Sequence, residues 1–307
     1  MTKVVVSEFL PEDHLDRLRR RFEVVYEPDL YADRPRLLAE IGDAAAVFIR
    51  NRTRIDQELL DAAPSLRVVG RLGVGLDNID TDGCVGAGVA VIPAAGANAV
   101  SVAEYVIGAM LVLVRGVYGL TPSMVAGEWP RQGHAFGREL MGQTLGLIGF
   151  GSIAREVASR ADALGMRIVA HDPFLPEDDV AWGMVGNVGL ETLLSTSDVV
   201  SLHVPLDEGN MNLIDAAALA LMRPTAILVN TSRGGIVDET ALAEALNNRR
   251  LGGAALDDFA SEPLGPEPAA TFAGVPNLIL TPHVAGNTEE SVDRVGTMVV
   301  EAAMRAL

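Results

Sequence analysis

The sequence predicts an α/β fold built from parallel sheets with helices on both faces. Three observations predict it. Short, β-branched apolar runs alternate with amphipathic helical stretches almost throughout the chain. At 307 residues the chain is long for a single core. The alternation also falls into two series, separated by a polar connection rich in glycine and proline.

In chain order, the first series places strands at 4–6 (VVV), 44–49 (AAAVFI), 66–70 (LRVVG) and 88–92 (GVAVI), with helices beginning near Pro11 and Asp56. A long helix over about 101–115 follows. Its apolar run from Tyr105 to Val114 is bounded by Glu104 and Arg115 and is too short to cross a bilayer, so it reads as a buried helix. The stretch TPSMVAGEWPRQGHAFGREL reads as the connection. The second series of strands is LGLIGF, MRIVAHD, DVVSLHV, AILVN, GAALD and LILT. The final helix opens on Asn287 with Glu290 three residues later, a capping-box pattern, and presents Val292, Val295, Val299 and Ala302 on one face.

Composition excludes several classes of function. Hydrophobic residues make up 49% and charged residues 21%, an ordinary globular balance. A net charge of −17 opposes binding to nucleic acid or an anionic membrane, because both require basic surface. The one cysteine, Cys84, allows neither an internal disulfide nor a cysteine zinc cluster, which fits a reducing cytoplasm; it reads as an inert core thiol, and no metal is expected. The opening TKVVVSEF is a strand followed by polar residues rather than a signal peptide.

The stretch GFGSIA, 149–154, stands between the strand LGLIGF and a helical segment. By itself it fits either a glycine-rich turn or a dinucleotide cradle. Gly149 permits a tight turn, Gly151 lets backbone amides approach a pyrophosphate at a helix N-terminus, and Ala154 permits close helix packing. Downstream, the strand MRIVAHD ends in Asp172, 21 residues beyond Gly151. A carboxylate there accepts hydrogen bonds from ribose hydroxyls and repels a 2′-phosphate, and no arginine follows it, so the order of elements points to NAD rather than NADP.

Hydride transfer also needs a group that exchanges a proton with the substrate. Of the five histidines, His14 lies in a charged helix and reads as a surface residue, His134 lies in the connection, and His171 precedes the cofactor acid. His203 and His283 both follow strands, at the carboxyl ends where open sheets bind ligands, though a strand-end histidine can equally be structural. His283 sits in NLILTPHVAG, a rigid loop off a buried strand.

The segments NTSRGGIVDE (230–239), ALDDFASEP (255–263) and TPHVAG (281–286) follow the glycine turn in that order. With GRLGVGLDNID (70–80), NAVSVAEY (98–105), MGQTLGLIGFGSIA (141–154) and SLHVPL (201–206), they make the whole chain resemble the D-isomer-specific 2-hydroxyacid dehydrogenases. The resemblance implies a catalytic trio of Arg233, Glu262 and His283. Arg233 would hold the substrate carboxylate and carbonyl oxygen, Glu262 would raise the pKa of His283, and His283 would exchange the proton. It implies an NAD groove lined by Gly149, Gly151, Ser152, Ile153, Asp172, His203, Val204, Pro205, Thr231, Asp257 and Gly286, with Asp257 meeting the nicotinamide carboxamide. Asp258 stands where the family usually has an apolar residue.

The same resemblance assigns substrate binding to Gly73, Val74, Gly75 and Asn98, and to Arg50 and Arg71 by likeness to the phosphoglycerate and sulfolactate dehydrogenase branch. Arg50, Arg52, Arg54 and Arg71 would then read a second anionic group; salt bridges to Asp56, Glu58 or Asp61 are the alternative. The fold implied is two Rossmann-like doubly wound domains with an interdomain cleft, 1–98 plus 286–307 for substrate and 99–285 for NAD. A homodimer through the 101–115 helix is expected, without a C-terminal regulatory domain. The expected activity is hydride transfer between NAD and a small 2-hydroxy or 2-keto acid, with dianions such as 3-phosphoglycerate or sulfolactate among the candidates. The alternatives are a hydroxypyruvate or glyoxylate reductase and a non-catalytic NAD sensor.

Overall fold

The computed structural model describes residues 1–132 and 137–307, so His134 lies outside the described residues. The chain forms two compact units, Met1–Asn98 with Asn287–Leu307, and Ala99–Gly286.

In the first unit β1 (Lys3–Val6), α1 (Glu12–Arg19), β2 (Glu23–Tyr26), α2 (Arg34–Ile41), β3 (Ala46–Ile49), α3 (Gln57–Ala62), β4 (Val68–Arg71), α4 (Thr81–Gly86) and β5 (Ala90–Pro93) follow in turn. All strands are parallel, in the order β2-β1-β3-β4-β5. The central strands β3 and β4 are buried along their whole length, which is why they read as continuous apolar runs. The edge strand β2 escapes sequence reading because its four residues, EVVY, pair with β1 alone and stay partly exposed. The helices α2 and α4 are each opened by an aspartate: Asp33 accepts from the Arg36 amide at 3.1 Å, and Asp80 from the Gly83 amide at 2.8 Å.

The C-terminal helix, Glu289–Ala306, packs on β4, β5 and α1 and completes this unit. Two expectations need correction here. The capping box is Thr288 with Ser291, one residue later than the sequence pattern suggested, since the Thr288 hydroxyl accepts from the Ser291 amide at 3.1 Å and the Ser291 hydroxyl from the Thr288 amide at 3.1 Å. The buried face is accordingly Ser291, Gly296, Val299, Val300 and Ala303, with Ala302 only half-buried. His14 is not on the surface. It shares the inner face of α1 with Leu15 and Leu18, is 2% exposed, and rests against Gly296 with Nε2 3.2 Å from Asp293.

The second unit holds α5 (Ala99–Arg115), α6 (Thr121–Val125), β6 (Thr144–Ile148), α7 (Ser152–Ala163), β7 (Arg167–His171), β8 (Gly186–Asn187), α8 (Leu190–Thr196), β9 (Val199–Leu202), α9 (Ala216–Leu221), β10 (Ile227–Asn230), α10 (Glu239–Asn247), β11 (Gly253–Leu256), α11 (Pro266–Ala269) and β12 (Leu278–Leu280). Its seven parallel strands are ordered β12-β11-β10-β9-β6-β7-β8, so the winding reverses between β6 and β9. One face is sealed by α5 and α7 through Val106, Met110, Leu113 and Val157 over Leu145 and Leu147; the other by Leu193, Leu219, Leu242 and Leu246 over Leu202 and Leu228. Both units are doubly wound α/β sheets. Among the described residues no single helix is long and apolar enough to cross a membrane.

Candidate active site

In open α/β sheets ligands gather at the strand ends where the winding reverses. In the second unit that point is the turn after β6 beside the turn after β9. Gly149 has φ +84°, and a Cβ on it would lie 2.6 Å from the His203 carbonyl oxygen, so the two turns approach more closely than any side chain allows. Gly151 precedes α7 with open space outside it, so the protein's own packing gives no reason for a glycine there. Ser152 and Ile153 start α7, while Ala154 is buried. Asp172, just past β7, accepts from the Phe150 amide at 2.9 Å and from the Phe174 amide at 3.0 Å, which fixes its carboxylate beside the glycine turn.

His203, Val204 and Pro205 follow β9. The His203 Nε2 lies 2.9 Å from the Ser201 hydroxyl, and burial pushes its pKa down to about 3, so the ring is neutral in ordinary conditions. Thr231 follows β10, and its hydroxyl oxygen is buried without a hydrogen-bond partner among the described residues. An orphaned hydroxyl, a glycine facing open space and an oriented carboxylate at the strand ends on either side of the reversal point are what a bound dinucleotide would use. The residues present therefore fit NAD.

The predicted trio comes together on three loops of this unit. Arg233 follows β10, Glu262 lies in the loop after β11, and His283 lies in the loop after β12. His283 Nδ1 is 2.8 Å from Glu262 Oε2, and Glu262 Oε1 accepts from the Phe259 amide at 3.1 Å. The histidine side chain is 40% exposed, so the ring reaches solvent. Arg233 acts electrostatically on His283 and on Asp258. Its loop packs so tightly that a Cβ on Gly234 would overlap the backbone of Phe259.

His283 has φ +54°, a left-handed conformation that costs a non-glycine residue about 1–3 kcal/mol. Asp257 holds the loop in that shape. Its buried carboxylate accepts from the Thr281 hydroxyl at 2.6 Å, the Val284 amide at 2.9 Å and the Ala285 amide at 2.7 Å, and its carbonyl accepts from the His283 amide at 2.8 Å. Hydrogen bonds to a charged group contribute about 1.5–3 kcal/mol each, so three offset the strain. Because Thr281 donates to Asp257, the Tyr105 hydroxyl, 2.6 Å away, donates to Thr281 and ties α5 to the same loop. Asp257, expected at the nicotinamide, thus has both oxygens engaged by its own chain. Gly286 ends the loop and the unit.

Asp258 lies on the other side of the histidine ring. It is 2% exposed, and its Oδ1 stands 3.2 Å from His283 Nε2. Burial pushes its pKa up to about 7 against the opposing pull of His283 and Arg233. For His283, burial alone would lower the pKa, but the charge of Asp258 and the hydrogen bond and charge of Glu262 outweigh it, and the net direction is up. Ligand atoms of Asp258, Glu262 and His283 lie within 4.8 Å of one another. The positive charge of Arg233 beside them opposes a cation there.

The predicted substrate residues lie in the first unit. Its winding reverses between β1 and β3, and the arginine loop leaves β3 there. Glu8, buried after β1, accepts from the amides of Arg50 at 2.8 Å, Arg52 at 3.2 Å and Thr53 at 2.9 Å and so shapes that loop. Among the described residues Arg50, Arg52 and Arg54 form no salt bridge with Asp56, Glu58 or Asp61; Arg34 pairs with Asp56 and Glu58. The arginines do not act as one cluster. Arg50 donates to Asn287 at 3.3 Å, Arg52 donates to Tyr31 at 2.7 Å and stacks over its ring, and Arg71 is 8% exposed and donates to the Gly75 carbonyl at 2.8 Å. Arg71 thereby braces the Gly73–Val74–Gly75 turn, in which Val74 is exposed. Asn98 has a buried side-chain oxygen without a hydrogen-bond partner among the described residues.

Tyr105, Thr281, Gly234 and Glu8 had no place in the sequence-based site. Thr281 and Gly234 stand inside motifs that pointed to the site, but only the folded loops show what they touch.

Residues 107–285 match the family described as D-isomer specific 2-hydroxyacid dehydrogenase, NAD binding domain. Over 308 residues the chain is 53% identical to (S)-sulfolactate dehydrogenase of Chromohalobacter salexigens, covering 100% of this chain and 99% of that one. It is 38% identical to D-3-phosphoglycerate dehydrogenase of Methanocaldococcus jannaschii, where 100% of this chain spans 58% of the relative. A solved D-lactate dehydrogenase from Aquifex aeolicus, complexed with NAD and lactic acid, superposes with a TM-score of 0.85 at 28% identity, over 99% of this chain and 94% of that one. The chain belongs to the D-isomer-specific 2-hydroxyacid dehydrogenase family, and it is an NAD-dependent oxidoreductase that acts on CH–OH donors.

Proposed function

We propose that the protein interconverts a small dianionic 2-hydroxy acid of the sulfolactate type and its 2-keto acid. The reading is carried by the His283–Glu262 pair at 2.8 Å with Arg233 acting on the same ring. When bound, the reduced cofactor would supply a hydride for C2 of the keto acid and the oxidised cofactor would accept one from C2 of the hydroxy acid. The guanidinium of Arg233 binds the carboxylate and the carbonyl oxygen, where its fork of donors and permanent charge stabilise developing negative charge. His283 gives a proton from Nε2 to that oxygen in reduction and takes it back in oxidation, while Glu262 holds Nδ1 and keeps the ring oriented. Gly149, Gly151, Ser152, Ile153, Asp172, His203, Val204, Pro205, Thr231 and Gly286 form the cofactor groove in this reading.

The dianionic substrate rests on two supports. The Chromohalobacter salexigens relative bears the name of a sulfolactate enzyme. In the first unit Arg50 leaves the reversal point of its sheet without a carboxylate partner in salt-bridge range among the described residues, where a charged group of the substrate can take that place. Arg71 serves the same end of the substrate, while the backbone of Gly73, Val74 and Gly75 meets its carboxylate and Asn98 borders the bound acid. The protein acts in the cytoplasm as a homodimer through α5, whose Leu111 and Val112 remain exposed in the single chain.

The test is a panel of keto acids with NADH and of hydroxy acids with NAD. Sulfopyruvate is expected to show the highest kcat/KM, and Arg50→Ala is expected to raise KM for it about tenfold or more while leaving glyoxylate nearly unchanged. Better turnover of glyoxylate or hydroxypyruvate than of any dianion would overturn the substrate assignment. Absence of turnover with every acid would leave an NAD sensor.

A further inference from the structure

We propose that Asp258 is a second acid–base partner of His283, a positioning residue that sets the charge on the Nε2 side of the ring while Glu262 holds the Nδ1 side. The inference rests on the functional reading above, in which Nε2 is the nitrogen that exchanges a proton with substrate.

The two adjacent aspartates after β11 are used differently. Asp257 spends its oxygens on the Thr281 hydroxyl and the Val284 and Ala285 amides. Asp258 is equally buried, yet its Oδ1 accepts no hydrogen bond from the described residues and instead stands 3.2 Å from Nε2. A buried carboxylate oxygen without a hydrogen bond is costly, and an apolar side chain would fill the same space without that cost. Because the contact is not a hydrogen bond, the donor direction of Nε2 stays open to a substrate oxygen, and the Asp258 carboxylate acts on the ring through its charge whenever it is ionised.

The groups that face Asp258 are His283 from the loop after β12, Asp257 beside it, Arg233 from the loop after β10 and Glu262 from its own loop. Across from them stands Tyr105 of α5, whose phenol pKa is raised by burial first, and by the charges of Asp257 and Asp258 against the opposing Thr281 bond. Three carboxylates thus face one guanidinium and one imidazolium. One further proton neutralises the set, and burial places it on Asp258.

In reduction, the proton on Nε2 passes to the keto oxygen as C2 receives the hydride that NADH supplies, and the C=O double bond becomes a C–O single bond with new C–H and O–H bonds. Nε2 then regains a proton from water, and the charge of Asp258, once that carboxyl ionises, favours the protonated ring. Oxidation runs through the same steps in reverse. His283 and Asp258 consequently titrate as a coupled pair, in two steps that belong to both groups.

The experiment follows the imidazole nitrogens of the full-length protein by NMR, in EDTA and without cofactor, with His283 assigned by the loss of its signals in His283→Gln. The native protein is expected to show two steps at the His283 nitrogens. Asp258→Asn is expected to show one, with its midpoint lower by about one pH unit or more, the size of effect a charge within hydrogen-bonding range produces. The basic limb of kcat/KM for reduction should move down with it, about tenfold in rate per unit at fixed pH, and Asp258→Glu should restore part of the shift. Asp258→Val is the second variant should the asparagine variant fold poorly. An unchanged or raised midpoint in both variants overturns the proposal. Lack of turnover in the native protein would sink the functional reading instead, and the NMR titration would still report on the pair.

Discussion

His283 Nδ1 lies 2.8 Å from Glu262 Oε2, and the Phe259 amide holds the other oxygen of the same carboxylate at 3.1 Å. The pair fixes which ring nitrogen is committed and leaves the opposite one for chemistry. Together with Asp258 it raises the pKa of His283 against the lowering effect of burial. The imidazolium is the donor in reduction, so reduction is sustained below that raised pKa and lost as pH rises through it; oxidation needs the neutral ring and gains over the same window. Glu262→Gln removes one of the two acids, so both limbs should move to lower pH. At pH 8 the reductive kcat/KM is expected to fall by about 10²-fold, within the range for losing general acid–base help. Paired pH profiles in the two directions check this, and limbs that stay in place would remove Glu262 from the role.

Gly234 lies against the backbone of Phe259, with no room for a methyl group. The contact joins the Arg233 loop to the loop that carries Asp257, Asp258 and Glu262. Gly234→Ala should therefore push the guanidinium away from the carboxylates rather than merely loosen a turn. Catalytic efficiency is expected to drop by about 10²-fold, since displacement by about 1 Å at a catalytic centre has that effect. A Tm within a few degrees of the native value alongside the lost activity would confirm local displacement; native kinetics would show that the loops accommodate the methyl.

Asp258 also has a consequence for stability. Its folded-state pKa is pushed up to about 7 by burial, whereas an unfolded aspartate titrates near ~3.9. Between those values the folded state binds more protons than the unfolded state, so this group's contribution falls as pH rises and is at its worst above pH 7. Asp258→Val should raise Tm, by more at pH 8 than at pH 5; at about 2–4 °C per kcal/mol the difference is readable by thermal melts. An equal gain at both pH values would mean that the carboxyl is already ionised in the folded protein at pH 5 and that its pKa is not raised.

The parallel sheets were legible because buried parallel strands are continuous apolar runs, as β3, β4, β6 and β10 are. Edge elements were not: β2 has a partner on one side only and looks polar, and the two-residue β8 is too short to have a period. Arg233, Glu262 and His283 were readable because each sits in a motif of fixed residues at a strand end. The same reading missed what happens one residue away. Asp257 and Asp258 are chemically identical, and only the loops that surround them decide that one binds amides while the other faces the imidazole. His14 failed for a related reason: polarity suggested solvent, but its position beside Leu15 on an inward helix face decided its burial.

Gly149 carries the last prediction. Its φ of +84° is unfavourable for a side chain, and a methyl group would meet the His203 carbonyl oxygen at 2.6 Å and the Val204 side chain at 2.8 Å. Both neighbours belong to the turn after β9, so relief requires the two turns to separate at the reversal point of the sheet. Strain of this kind costs about 1–3 kcal/mol, equivalent to roughly 5–150-fold in an equilibrium constant. Gly149→Ala should thus weaken NADH binding by about that factor in a fluorescence titration. The equivalent change at Gly151, where a methyl meets no protein atom, should leave Tm untouched and weaken NADH alone. If Gly151→Ala binds NADH as the native protein does, the space outside that glycine is not where the pyrophosphate lies.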